Sequence, residues 1–458
     1  MPPRTRLSFV LAAVLGSLSF SAARAGDNWP QWRGPSLDGR SSATGLPASW
    51  SETENVIWKT PLPGWAGATP VIWGDRIFLT SPTPAEDKGE DGEIGRRLRS
   101  MQTKVSEPGG RDILLLCFDR SDGRELWRKK LSGGNRFYAK HNMASPSPVT
   151  DGKHVWAVAG TGAVAAFDFD GKELWTRHLQ EEYGEFGLYW GYASSPLLHE
   201  GKLILEVLNG ATNKNPSYLL ALDGKTGENV WKVERKTDAI AECPDAYTTP
   251  TILRSGKRKL LIVSGADYVT AHDLKSGHEV WRAGGLNPEK QKNYRICGSP
   301  TVIDRLVIAT SRERPIVAIK AGGKGDATES HTAWTYDGRK GPDVPSAATD
   351  GKYLYLIHDN GFATCLDVKT GAEVWGPERI ESGPYSASPL VADGRVYITN
   401  EDCVTTVLEA GPAFKTLHVN RLDGGYTLSS FAVAGDRLYL RAGNALYCLG
   451  RSSKSSEK

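Results

Sequence analysis

One phrase of sequence recurs along the chain and constrains its fold more than any other feature. Each copy opens with a small residue and Ser/Thr-Pro, and apolar strands separated by Gly-containing turns follow. The pairs lie at residues 69–70, 147–148, 195–196, 249–250, 299–300 and 388–389, and copies without proline begin at Ser346 and Ser430. Most copies are spaced by roughly 40 to 55 residues, a period typical of β-propeller blades.

Five copies close with an Asp, a turn containing Gly, and a short strand that carries a Trp. We interpret the Asp as a cap of its own turn, and the Gly as the residue that accepts a left-handed backbone there. Alternation of apolar and polar residues fits a half-buried outer strand, from which the Trp packs on the next blade. The pairs are Asp119 with Trp127, Asp168 with Trp175, Asp223 with Trp231, Asp273 with Trp281, and Asp367 with Trp375.

Each copy predicts a four-stranded antiparallel sheet. Eight such sheets around an axis form an all-β fold, an eight-bladed β-propeller. The last copy, residues 430–450, has three strands and no Trp. Residues 55–59, with Trp58, supply the missing outer strand and close the ring, which removes exposed edges. We therefore predict a lead-in segment at residues 26–54, the propeller at 55–450, and a polar tail at 451–458.

The first 25 residues have the pattern of a secretory signal peptide. Two arginines precede an apolar run at residues 7–18, and Ala23-Arg24-Ala25 is a small-x-small cleavage site. No apolar run is long enough to cross a membrane as a helix, so we expect an exported protein, periplasmic or secreted, without a transmembrane segment. Beyond residue 25 the chain carries 53 basic and 53 acidic residues, a balance that disfavours a nucleic-acid partner.

The six cysteines show no CxxC or CxxCH spacing, which excludes the usual metal and haem motifs. We expect them to be small buried hydrophobic residues. An oxidising compartment permits disulfides, and Cys243–Cys297 is the first pair to check.

Two phrases resemble a known family. The D-x-x-T-G-x-x-x-W pattern at residues 223–231 and 367–375 resembles the tryptophan-docking motif of quinoprotein dehydrogenases, and Trp29-Pro-Gln-Trp-Arg-Gly-Pro35 resembles the lead-in of PQQ-like repeat propellers. One branch of that family binds PQQ with Ca²⁺ and oxidises alcohols with a catalytic Asp, whereas a propeller of the outer-membrane β-barrel assembly machinery is a scaffold without cofactor. The chain lacks the adjacent cysteines of the first branch and the lipidated cysteine of the second, and no residues match the Ca²⁺ ligands.

A ligand site is expected on the face that carries the loops into the inner strands and the loops between second and third strands. Aromatic and basic residues that precede the Ser/Thr-Pro phrases could sandwich a planar quinone or a sugar ring, or could instead plug the channel by stacking on one another. The candidates are Trp65, His141, Trp190, Tyr192, Tyr247, Arg295, Tyr385 and Tyr426. A charged insertion at residues 82–110 lies on the same face, as a solvated loop or as a partner-binding arm or lid.

No catalytic motif emerges, although His141 near Asp245 or Glu242 would form an acid–base pair. We therefore predict a non-enzymatic binding or interaction platform of the cell envelope, a monomer with an envelope protein partner or a small planar or sugar ligand. The alternatives are a PQQ-dependent oxidoreductase and a carbohydrate-binding propeller. No cofactor is assured; PQQ with Ca²⁺ is the candidate.

Overall fold

The computed structural model describes residues 28–85, 109–138, 140–256, 258–338 and 341–451, and the backbone of residues 90–91. The predicted signal peptide, residues 452–458 of the tail and most of the charged insertion lie outside the described residues. The described chain forms eight sheets in a ring, so the predicted eight-bladed propeller is confirmed.

The blades are numbered in chain order, and the strands of each blade are given from the channel outward. Blade 1 contains Val71–Trp73, Arg76–Pro82, Ile113–Asp119 and Glu125–Ser132; blade 2, Val149–Thr150, His154–Val158, Ala163–Asp168 and Glu173–His178; blade 3, Leu197–His199, Lys202–Val207, Tyr218–Asp223 and Asn229–Glu234; blade 4, Thr251–Ser255, Arg258–Gly265, Tyr268–Asp273 and Glu279–Ala283. Blade 5 contains Thr301–Ile303, Leu306–Thr310, Ile316–Lys320 and Thr332–Tyr336; blade 6, Ala348–Thr349, Tyr353–His358, Phe362–Asp367 and Glu373–Arg379; blade 7, Leu390–Ala392, Arg395–Thr399, Val404–Glu409 and Thr416–Arg421; blade 8, Ala432–Ala434, Arg437–Ala442 and Ala445–Leu449.

Val56–Pro61 is the outer strand of blade 8 and closes the ring as predicted. It pairs antiparallel with Ala445–Leu449, with Trp58 opposite Cys448. Because the first and last strands of the ring share one sheet, the propeller has no open blade interface at its seam.

A few elements lie outside the blade pattern. Gly325–Asp326 adds a parallel fifth strand to the outer edge of blade 4. Glu90–Asp91, Arg136–Tyr138 and His141–Asn142 form a small separate sheet. Within the described residues the helices are Leu179–Tyr183 and Thr328–His331, and neither is long and apolar enough to span a membrane.

The Asp of the closing phrase organises its turn through one carboxylate oxygen. In blade 3, Asp223 Oδ1 accepts the backbone N–H groups of Lys225 and Thr226 at 2.8 and 3.0 Å. Gly227 then takes a φ of +75°, and a β-carbon there would lie 2.7 Å from the Trp175 ring of the preceding blade. The turn therefore requires glycine both for its backbone conformation and for the close approach of the indole.

The outer-strand tryptophans join consecutive blades with a repeated hydrogen bond. Each indole N–H donates to a carbonyl in the closing turn of the next blade: Trp58 to Arg120, Trp127 to Phe169, Trp175 to Gly224, Trp231 to Leu274, Trp334 to Val368, and Trp375 to Gly411. Trp281 is the exception among them, since its buried indole N–H has no hydrogen-bond partner among the described residues. The next turn, in blade 5, is replaced by the longer segment 321–331.

A closed ring of hydrogen bonds surrounds the channel. In each blade the Ser or Thr of the opening phrase donates its backbone N–H to the side-chain hydroxyl of the equivalent residue in the next blade, at 2.8 to 3.2 Å. We call these residues the hydroxyl ring; its members are Thr69, Ser147, Ser195, Thr249, Ser299, Ser346, Ser388 and Ser430. It includes Ser346 and Ser430, so the hydroxyl rather than the proline is the common feature of the opening phrase.

All six cysteines are free thiols, and five of them are buried; Cys297 is partly exposed. The disulfide considered between Cys243 and Cys297 is not formed. The thiol of Cys243 instead donates to the carbonyl of Gln291 at 2.9 Å. Four of the cysteines, Cys117, Cys365, Cys403 and Cys448, lie in hydrophobic clusters of the blades as small apolar side chains.

Candidate ligand-binding cavity

A cavity of about 600 Å³ opens at the channel mouth; we call it the central cavity. Its walls come from loops that lead into the inner strands and from the loop between the second and third strands of blade 6. Lining residues include Tyr138, Lys140, His141, Trp190, Tyr247, Arg295, Cys297, Asp343, Asp359, Ser386, Leu428 and members of the hydroxyl ring. The predicted face thus carries a cavity that the aromatic side chains do not fill.

The eight candidate residues divide into three groups. His141, Trp190, Tyr247 and Arg295 line the central cavity. Trp65 and Tyr426 line a neighbouring cavity of about 550 Å³ near the seam between blades 8 and 1, where their rings meet at 5.8 Å.

Tyr192 and Tyr385 lie in the blade cores instead, with 2% and 0% of their surface exposed. Gly191, with a φ of +78°, turns the backbone between Trp190 and Tyr192, so the two rings separate. Tyr192 packs on Phe186 with a centroid distance of 4.9 Å. Proximity to the opening phrase therefore did not ensure that an aromatic side chain faces the channel.

The far end of the channel is closed by the lead-in segment, which sequence reasoning did not place. Its backbone pairs with Ile72 of blade 1 through Trp29, and the carbonyl of Pro30 accepts the N–H of Thr150 in blade 2. Further along, Gly39 accepts the backbone N–H of Val391 in blade 7. Between these points it contacts blade 3 and then blades 5 and 6, so it crosses the channel. Trp32, which lies between these contacts, lines the central cavity.

Arg33 fixes this floor. Its side chain is only 3% exposed and donates to Thr301 Oγ1 at 3.1 Å and to the carbonyl of Ala347, so it links blades 5 and 6. Its guanidinium lies 5.8 Å from the ring centroid of Trp32. Burial lowers the pKa of Arg33 to about 10, and its left-handed φ of 64° is unusual for a residue with a side chain.

Trp190 forms part of the cavity wall, and hydrogen bonds hold it in place. Its indole N–H donates to Glu242 Oε1 at 2.8 Å, and its backbone N–H donates to the Tyr247 hydroxyl at 3.0 Å. The guanidinium of Arg295 lies 5.6 Å from the indole centroid and also pairs with Glu242 and Asp343, each at 3.4 Å. The indole plane is therefore preorganised rather than free to rotate.

The structure does not pair His141 with Asp245 or Glu242. The His141 Nε2 lies 2.7 Å from the carbonyl of Trp190, and Nδ1 lies 3.3 Å from the carbonyl of Asn142. Asp245 accepts the backbone N–H groups of Tyr189 and Ala211, and burial raises its pKa to about 7. Burial also lowers the pKa of His141, which favours the neutral imidazole as a donor to the Trp190 carbonyl.

Asp359 in the wall and Glu401, the partner of the wall residue Lys140, are both engaged by neighbouring groups. Asp359 Oδ1 accepts the N–H groups of Asp343 and Val344 at 3.0 and 3.1 Å, and burial, with Asp343 nearby, raises its pKa to about 6. Glu401 pairs with Lys140 at 2.8 Å and accepts the Ser386 hydroxyl at 2.6 Å. Among the described residues, no group of three His, Cys, Asp or Glu side chains is arranged to hold a metal ion.

The fold and this channel place the chain in the class of quinoprotein-type β-propellers. The family model described as outer membrane protein assembly factor BamB matches residues 111–376 and 326–416. The chain therefore belongs to this PQQ-like propeller family, and the resemblance noted in the sequence is confirmed.

Individual relatives point to two branches of the family. BamB of Burkholderia pseudomallei is 21% identical over 270 residues, which cover 58% of this chain and 60% of the relative. Methanol dehydrogenase subunit 1 of Methylobacterium organophilum is 36% identical over 80 residues, 16% of this chain and 12% of that protein. The chain thus matches less than two thirds of either curated relative.

Solved structures agree with the fold. BamB from Moraxella catarrhalis superposes with a TM-score of 0.56 at 15% identity, covering 87% of this chain and 99% of that one. Quinohemoprotein alcohol dehydrogenase from Comamonas testosteroni superposes with a TM-score of 0.65 at 12% identity, covering 95% and 82%. At these identities the likeness shows the architecture alone.

Proposed function

We propose that this chain is a non-enzymatic binding propeller of the cell envelope and that the central cavity is its binding site. The observation that carries the proposal is the local pairing of charge around the cavity. Lys140 pairs with Glu401, and Arg295 pairs with Asp343. Such a wall holds polar ligands in fixed orientations, while its acids are occupied with structural bonds.

The described residues fit PQQ with Ca²⁺ poorly. PQQ carries three carboxylates, and both cations of the wall, Lys140 and Arg295, already have anionic partners. Ca²⁺ prefers six to eight oxygen ligands, whereas the described cavity gathers no three-residue metal-binding group. No reaction step is therefore assigned to the cofactor.

The envelope location rests on two observations. The pattern of residues 1–25 is typical of an export signal, and the family model is described as an outer membrane protein assembly factor. The similarity to BamB over 58% of the chain also supports an envelope protein as a partner.

The experiment is a titration of the purified protein with PQQ and Ca²⁺, followed by thermal unfolding and by dye reduction with methanol and ethanol. We expect no saturable rise in melting temperature, since only a ligand that binds the native state raises it, and no alcohol-dependent dye reduction. A saturable rise that disappears in Arg295→Ala, together with alcohol oxidation that disappears in Asp359→Asn, would overturn the non-enzymatic assignment in favour of an oxidoreductase.

A further inference from the structure

We infer that the floor of the central cavity binds one face of a neutral sugar ring, stacked on Trp32 and hydrogen-bonded by the hydroxyl ring. The inference rests on the proposed binding function and names its ligand class. It follows from three independent features of the cavity: unused hydroxyl protons, an accessible indole at the closed end, and cations that already have anionic partners.

The first feature is a set of hydrogen-bond donors without acceptors. Six members of the hydroxyl ring line the cavity: Ser147, Ser195, Thr249, Ser346, Ser388 and Ser430. Each oxygen accepts a backbone N–H, which leaves its own proton free, and within the described part of the chain none of the six donates to a protein acceptor.

These hydroxyls are nearly buried, from 2% exposed at Ser147 to 8% at Ser388. Because a hydroxyl proton is stabilised by an acceptor, the ring favours a ligand that brings several oxygen atoms to the channel axis. Hydroxyl oxygens suit it, since a serine can both donate to them and accept from them.

The second feature is the Trp32 indole at the closed end of the channel. Trp32 lies between Gln31, whose side-chain oxygen accepts the N–H of Leu198 in blade 3, and Arg33, which is anchored to blades 5 and 6. The indole is partly exposed and contributes to the cavity lining. A pyranose presents an apolar C–H face and a hydroxyl rim, so its face packs on an aromatic ring while the rim meets polar groups.

The third feature selects a neutral ligand over an anionic one. Lys140 pairs with Glu401, and Arg295 lies between Glu242 and Asp343, so each cation already has an anionic partner. Of these groups Lys140, Arg295 and Asp343 line the cavity, where they can donate to and accept from sugar hydroxyls through charge-assisted hydrogen bonds. An anion would have to compete with Glu401 for Lys140 and with Glu242 and Asp343 for Arg295. The competition is costly at Arg295, whose side chain is only 16% exposed. The wall therefore complements a neutral polyol.

Isothermal titration calorimetry of the purified protein tests the inference with D-glucose, D-galactose, N-acetyl-D-glucosamine and maltotriose, and with D-glucuronate and PQQ as anionic comparators. We expect saturable binding of at least one neutral sugar. Trp32→Leu should weaken it at least about tenfold, and Trp32→Tyr should retain most of the affinity because it keeps a stacking ring. Trp65→Leu, in the neighbouring cavity, is the matched control and should change the affinity less than about twofold.

The other outcomes separate this inference from the proposed function. Binding of only glucuronate or PQQ, lost in Trp32→Leu, would overturn the neutral-sugar assignment and leave the binding cavity standing. Sugar binding that survives Trp32→Leu in a variant with an unchanged melting temperature would overturn the location at the floor. Failure of all six probes would overturn the sugar assignment, while the PQQ and dye-reduction experiment tests the non-enzymatic function by itself.

Discussion

Glu206 is a buried carboxyl group that we expect to be protonated in the folded protein. It lies on the second strand of blade 3 with 1% of its surface exposed. The hydroxyl oxygen of Thr248 lies 2.5 Å from Glu206 Oε1 and 2.7 Å from the carbonyl of Ser264. Because a hydroxyl has one proton, both bonds form together only if Glu206 donates to Thr248 and Thr248 donates to Ser264. Burial agrees, since it raises the pKa of Glu206 to about 8.

Replacement of Glu206 with Gln should therefore stabilise the protein only at higher pH. A carboxyl group whose folded pKa is raised contributes fully below its unfolded pKa, and its contribution is lost as the pH rises towards the folded value. Between the ordinary pKa of 4.5 and the folded pKa of about 8, the loss is about 1.4 kcal/mol per pH unit, so it reaches about 3 kcal/mol at pH 7 and at most about 5 kcal/mol. The glutamine side chain keeps an N–H donor for Thr248 and carries no charge.

Guanidinium chloride unfolding at pH 5, 7 and 8.5, followed by tryptophan fluorescence, measures this difference. We expect the wild type and Glu206→Gln to have similar free energies of unfolding at pH 5, and the variant to be more stable by several kcal/mol at pH 8.5. Glu228→Gln, at an exposed turn of the same blade, is the control. A difference between wild type and Glu206→Gln that does not change with pH would refute the reasoning, because Glu206 would then be ionised in the fold throughout.

Three further predictions concern the joints between blades, and denaturant unfolding checks each of them. Ser195→Ala removes the acceptor of a buried backbone N–H at 2.9 Å and should cost about 1–3 kcal/mol, whereas Ser195→Thr should cost less. Gly277→Ala places a β-carbon 2.6 Å from the Trp231 ring at a φ of +73° and should cost at least about 1 kcal/mol more than Gly256→Ala, where a β-carbon meets nothing within 4 Å; equal costs would contradict the steric account. Trp231→Phe loses an indole hydrogen bond of 3.1 Å and should cost about 1 kcal/mol more than Trp281→Phe, which loses none among the described residues.

The blade pattern was predictable because its chemistry is local. Asp223 caps a turn only a few residues away, and Gly227 supplies the left-handed backbone inside that turn. The closing phrase with its Trp could not be recognised in two blades where the local spacing or residue changes. In blade 5, Trp334 follows the long segment 321–331, and in blade 7 His418, opposite Val407 in the outer pair of strands, takes the position of the Trp. There Trp50 of the lead-in segment packs against Tyr397 and Phe431.

The candidate site was predictable only in part. Loop position placed Trp190 and Arg295 in the cavity wall, because every such loop emerges on one face. It misplaced Tyr385, whose hydroxyl donates to the carbonyl of Glu381 at 2.7 Å within a blade core. The sequence analysis did not identify Trp32 as a cavity residue, because its position depends on contacts of Arg33 with Thr301 and Ala347, which are 268 and 314 positions away. Such long-range contacts leave no periodic signal in a sequence.

The lead-in segment links the depth of the cavity to the closure of the ring. The same run of chain that sets Trp32 at the floor continues through Trp50 into Val56–Pro61, the strand that completes blade 8. The floor is therefore anchored at one end by Arg33 and at the other by a four-stranded sheet. A binding surface built in this way is rigid before the ligand arrives, and preorganisation of that kind lowers the entropy cost of binding. The closing of the propeller and the shaping of its cavity are, in this chain, consequences of one segment.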